Sequence, residues 1–177
     1  WQDLNRLHVV SNLKKILGKW YSLDCIFLDR KGRIKTNFLD ESNSLYSDFF
    51  RNQITSKSGL ENFNSDLEKV HSLLIGSDEE LQIAPSSFKG VNFVCCKLIY
   101  DNKLMGSVIG YPFVFNNKTD ELDRVISELL GSWKVSLVQI DKTITSLKVS
   151  DNNLEYLKDL ISLVSQEIIT FHKEINN

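Results

Sequence analysis

Apolar residues recur at helical spacing from the start of the chain: Leu4, Leu7, Val10, Leu13, Ile16, Leu17 and Trp20. Lys14, Lys15 and Lys19 fall between them, which predicts an amphipathic helix ending near Gly18. The period then shortens. An apolar run from Leu23 to Leu28, a polar turn over Asp29 to Gly32 and a shorter run to Phe38 predict a β-hairpin, with Gly32 supplying the positive φ of the turn. Asp40 to Ser44 reads as a loop, "LYSDFFRNQI" as a short helix, and "SKSG" (Ser56 to Gly59) as its break. Leu60, Phe63, Leu67, Val70, Leu73 and Leu74 form the apolar side of the next helix, stopped by Gly76. A short strand around Leu81 to Ala84 ends at Pro85. Two long strands follow, Val91 to Tyr100 and Leu104 to Phe115, joined tightly by Asp101-Asn102-Lys103.

Two helices close the chain. The first spans about Thr119 to Leu147, with Gly131 placed to bend it. The second starts at a Ser150 or Asp151 cap and runs nearly to the end. Within it Leu154, Leu157, Ile161, Val164, Ile168, Phe171 and Ile175 step alternately by three and four, a heptad seam. Ile161, Ile168 and Ile175 share one seam position, and β-branched residues there favour parallel pairing of two helices. Leu160, Leu163 and Ile169 widen the stripe, so part of the helix can also lie on its own domain. The seam thus supports two readings, a packing helix of a monomeric fold or a dimerisation helix leading into a following module. Its extension to the chain's end favours the second.

Composition narrows the class. With 177 residues, 42% hydrophobic and 25% charged, the chain is one globular domain, or one domain with an extended appendage. A net charge of −2 without a dense basic block makes direct nucleic-acid binding a poor expectation. No apolar run has membrane-spanning length, and the three cysteines do not make a disulfide framework. The chain opens at Trp1 without a secretion signal, as expected of a cytoplasmic piece of something longer. "NKT" at Asn117 to Thr119 is then a chance match to the glycosylation pattern.

The chemistry-bearing residues are few. Cys95 and Cys96 are neighbours in a strand, so their side chains look to opposite faces and do not share a metal ion. One is expected to pack in the core and the other to line the opposite wall. Lys97 alternates onto the Cys95 face, which leaves a thiol sensor as the alternative. His8, His71 and His172 have no metal-ligand spacing, and no nucleophile elbow, P-loop or zinc-protease motif occurs. Asp29, Asp40, Glu41, Asp78, Glu79 and Glu80 read as capping and solvating residues. No catalytic residue, metal or cofactor is expected, and the chain is not read as an enzyme. The glycines of "GSVIG" (Gly106 to Gly110) mark a bulge or a close approach to the sheet.

Three stretches carry a resemblance to a known family: "LKKILGKWYSLDCIFLDRKGRI", "KLIYDNKLMGSVIGYPF" and "LKVSDNNLEYLKDLISLVSQEIITF". In order they resemble the opening helix and strand, the central hairpin and the closing helix of a GAF-like sensory domain, most nearly the PocR-like ligand-sensing domain of bacterial regulators. The resemblance implies an α+β, GAF/PAS-like fold: a central antiparallel β-sheet flanked by N- and C-terminal helices, the last long and with coiled-coil character. Residues 1–149 would form the sensory domain and 150–177 the dimerisation and signalling helix. Phe63 and Pro85 stand roughly where the family often carries cysteines, so no metal or thiol function is carried over.

The implied function is a non-catalytic sensory or regulatory domain of a bacterial signalling or transcription-regulating protein. A small ligand of unknown identity would sit between one sheet face and the cover from Asp40 to Gly90. Phe49, Phe50, Arg51, Phe93, Cys95, Tyr111 and Phe113 are the expected lining, with Asn52 for orientation. The expected partners are a second copy, through the seam from Leu154 to Ile175, and an output domain outside this fragment. The alternative is a degenerate domain that binds no small molecule and serves as a dimerisation or protein-docking platform. Phe88 and Phe93 would then fill the cavity.

Overall fold

A computed structural model describes residues 8–21, 23–35, 57–113 and 151–176, with a few positions between 120 and 138. The expected short helix over 45–54, the loop before it, and residues 114–115 lie outside the described residues. So does most of the helix expected over 119–147, although Asp120, Asp123, Arg124, Ser127, Glu128 and Val138 within it are helical. The elements are α1 (His8–Tyr21), β1 (Asp24–Asp29), α2 (Lys57–Gly76), β2 (Leu81–Pro85), β3 (Asn92–Tyr100), β4 (Lys103–Phe113) and α3 (Asp151–Asn176). The class is α+β. Its sheet is fully antiparallel in the order β1-β4-β3-β2.

The β3–β4 hairpin forms as its pattern predicts. Asp101 and Asn102 adopt φ of 47° and 57°, and Tyr100 pairs with Lys103 across a two-residue turn. Positive φ at both central positions matches the right-handed strand twist, and Asp and Asn tolerate it better than other side chains. After β1, Gly32 takes φ 76° and its N–H donates to the Asp29 carbonyl. Of the expected returning strand, the described part makes a single bridge, Leu28 to Ile34, and residues 36–38 lie outside the described residues.

β4 and β3 are the central strands and are buried on both faces, which is why "SVIGYPF" is continuously apolar apart from Ser107. One face carries Cys25, Phe27, Val94, Cys96, Leu98 and Val108. α1 and α3 cover it with Val10, Leu13, Leu17, Leu157, Ile161, Val164 and Ile168. Gly110 lets this layer come close: a Cβ there would lie 3.4 Å from Leu23 Cδ1 and 3.9 Å from Ile161 Cδ1. Strand alternation sends Ile26, Leu28, Phe93, Cys95, Ile109 and Tyr111 to the other face, where α2 contributes buried Phe63, Leu67, Val70 and Leu74.

Four local expectations are corrected. α1 continues past Gly18 to Tyr21, because nothing crowds that glycine and the Leu23 N–H closes the helix end on the Leu17 carbonyl. Ile16 and Trp20 face outward, Trp20 at 73% exposure, rather than joining the core. α2 begins at Lys57 and runs through Ser58 and Gly59, where the sequence suggested a break; burial of Phe63 and Leu67 one turn on outweighs the weak propensity of those residues. Leu60 and Leu73 on the same helix are exposed.

Candidate functional site

The face beneath α2 gathers most of the chemistry. Its backbone register places Tyr111 beside Asp24, Ile109 between Ile26 and Cys95, and Ser107 between Leu28 and Lys97. Over the first of these rows three rings pack together. Phe93 stacks on Tyr111 with centroids 4.5 Å apart, and Phe63 from α2 meets them edge-on or tilted at 5.3 and 6.0 Å. Such a trio anchors α2 to the sheet and adds about 0.5–1.5 kcal/mol per pair beyond the area it buries. Burial, partly offset by a hydrogen bond with Ser86 and reinforced by the Asp66 charge, holds the Tyr111 phenol above its ordinary range.

Polar groups border the rings. Asp66 is buried on α2, where its carboxylate accepts the Ser87 N–H at 2.6 Å and pairs with Lys69 at 3.6 Å. Ser86 Oγ lies 2.9 Å from the Val91 carbonyl and accepts the Phe88 N–H at 3.1 Å. These bonds fix the β2–β3 connection against α2. At the far end of α2, the Lys97 ammonium donates to the Ser77 carbonyl, a cation closing a helix C-terminus. Ser107 is also on this face. It is 1% exposed, and its hydroxyl has no hydrogen-bond partner among the described residues.

The cysteines form walls. Cys95 lies under α2 and Cys96 under α3, where Ser165 Oγ comes within 3.5 Å of its sulfur and donates to the Ile161 carbonyl at 2.7 Å. Burial raises all three thiols: Cys25 to about 12, Cys95 far above the ordinary range, and Cys96 upward with a partial offset from Ser165. Thiols held protonated in this way are poor nucleophiles and poor metal ligands. No group of three His, Cys, Asp or Glu side chains among the described residues is placed to hold a metal ion.

The turn after β1 holds a different kind of structure. Asp29 is buried, and its carboxylate accepts the Lys31 and Arg33 N–H groups at 2.9 and 3.0 Å and the Arg33 guanidinium at 2.8 Å. Lys35 adds a charge at 3.4 Å. Burial alone would raise this carboxyl, but these donors outweigh it and hold Asp29 well below the usual carboxylate range. Its role is to fold the turn.

Of the expected ligand-lining residues, Phe93, Cys95 and Tyr111 come together on the α2 face. Phe113 does not, since it belongs to the core beneath α1 and α3. Phe49, Phe50, Arg51 and Asn52 lie outside the described residues. In the heptad seam, Leu157, Ile161, Val164 and Ile168 are buried in their own protomer against the sheet, and Leu154 packs at the margin. Phe171 is half-buried, and Ile175 is exposed at 58%. Sequence reading missed Phe63, Asp66 and Ser107 as residues of this face. The parity of Ser107 with Ile109 and Tyr111 was the signal that could have placed it.

No helix among the described residues is long and apolar enough to cross a membrane. Comparison with protein families, curated proteins and solved structures finds no match to this chain.

Proposed function

We propose that the chain is a non-catalytic sensory or regulatory domain of GAF-like type, which takes a small molecule on the α2 face of its sheet and passes the effect to α3. The observation that carries this reading is the division of β3. Its residues Phe93, Cys95 and Lys97 face α2, while Val94, Cys96 and Leu98 support α3. Packed layers transmit small displacements because side chains have few alternative packings, so a change on one face of β3 bears on the other. The lining fits a binding role: apolar and aromatic walls with a few buried polar groups, Asp66, Ser107 and the Tyr111 phenol.

Moving a two-state balance from 1:99 to 99:1 requires about 5.5 kcal/mol of differential affinity, within reach of an enclosed small ligand. Pairing of two copies through α3 would use its outward residues Tyr156, Leu163 and Ile175, since the central seam is engaged within the protomer. The test is a thermal-shift metabolite screen joined to native mass spectrometry. A bound small molecule that raises the melting temperature supports the reading, and a silent screen with a bare native mass overturns it.

A second reading has its own support. Phe63, Phe93 and Tyr111 pack on one another so closely that they can be the filling of a closed interior. The domain would then be a docking platform without a small ligand, and the same screen separates the two.

A further inference from the structure

A ligand on the α2 face needs a polar anchor, and one residue pair there has unused hydrogen-bonding capacity. The Ser107 hydroxyl is buried without a partner among the described residues. Buried hydroxyls are nearly always paired, and leaving one unpaired is costly because its desolvation goes uncompensated. Lys97 stands directly opposite Ser107 in the β3–β4 register, so both side chains leave the same face with Cβ atoms about 5 Å apart. The Lys97 ammonium has three N–H donors and gives one to the Ser77 carbonyl. No carboxylate among the described residues pairs with it.

Resting on the sensory reading above, we propose that Ser107 and Lys97 recognise the carboxylate of a small acid with an apolar body. The ammonium can only donate and the hydroxyl can donate beside it, so a ligand that brings acceptors satisfies both, and one negative charge balances the one ammonium. The neighbouring positions on this face, Leu28, Ile26, Ile109 and Cys95, are neutral and apolar. They suit a short hydrocarbon chain and supply no second cation for a doubly charged phosphate.

The experiment is calorimetric titration and thermal unfolding with sodium butyrate, and separately with inorganic phosphate, on the wild-type chain, Ser107→Ala and Lys97→Met. Butyrate should bind saturably and raise the melting temperature, with affinity at least tenfold weaker in each variant, while phosphate gives no saturable response. Unliganded Ser107→Ala should be as stable as wild type or more so, because the hydroxyl it removes has no partner to lose. Three results overturn the site: butyrate acting no differently from equal sodium chloride, equal butyrate affinity in all three proteins, or phosphate binding in its place. A lower melting temperature for unliganded Ser107→Ala also overturns it, by showing that the hydroxyl is satisfied within the fold. A different metabolite from the broader screen that binds all three proteins equally removes this site and leaves the sensory reading intact.

Discussion

Ile161→Ala separates a helix that belongs to the core from one that serves only to join two protomers. Ile161 is fully buried on α3 and stands over Gly110, which has no side chain that could swing into a void. Substitution of buried Ile by Ala costs about 2–5 kcal/mol, the larger values where the surroundings cannot collapse. With the rigid sheet on one side, the expected loss is about 4 kcal/mol, or roughly 8–16 °C in melting temperature for a chain of this size. At the dilute end of the concentration range, where any pairing through α3 is released, Leu163→Ala on the exposed side of the same helix should cost within about 0.5 kcal/mol. The assay is urea unfolding of both variants over a hundredfold range of protein concentration. A packing defect inside one protomer gives a loss that does not depend on concentration, whereas a dimer defect fades on dilution. If Ile161→Ala costs less than about 1 kcal/mol, or its cost vanishes on dilution, α3 is not part of the core and the reasoning fails.

Asp29→Asn should lower stability by about 1–3 kcal/mol at neutral pH, because the amide accepts fewer of the four donors that hold the turn. The native carboxyl is held below its unfolded value, so its contribution is complete above pH of about 4 and fades as the pH falls further through the lowered value. The gap between wild type and variant should therefore close in acid, as followed by denaturant titration across pH; a gap that widens contradicts the assignment. Gly32→Ala forces a side chain into φ 76° and brings its Cβ within 2.9 Å of the His71 ring. His71→Ala should recover the steric part, a coupling of about 1 kcal/mol in a double-mutant cycle, and strict additivity would deny the contact. The thiols of Cys25, Cys95 and Cys96 should resist iodoacetamide in the native protein even at mildly alkaline pH and all react on unfolding. Rapid native labelling of any of them would show that it is not walled in.

Period and turn chemistry made the sheet legible. Alternation separated Cys95 from Cys96, and two residues able to take positive φ fixed the β3–β4 turn. Phe113 fell on the unexpected face because the β3–β4 register shifts between Asn92 and Val94, and a bulge leaves no trace in an apolar run. The heptad of α3 left two readings open for a related reason. Steps of three and four describe a helix lying on a sheet as well as one paired with a copy, and only the neighbours decide between them. Ser107 was passed over because a lone serine in an apolar strand is locally unremarked, and its missing partner exists only in three dimensions. The family resemblance rested on apolar and turn patterns, which specify element order better than they specify a ligand.

The most direct test is hydrogen exchange of the wild-type chain and Lys97→Met with and without saturating butyrate. Coupling through β3 predicts that the acid slows exchange in β3 and also in α3 between Leu157 and Ile168, and that Lys97→Met removes both effects. Protection confined to α2 and its side of the sheet, with α3 unchanged, would contradict the claim that one strand links the binding face to the terminal helix.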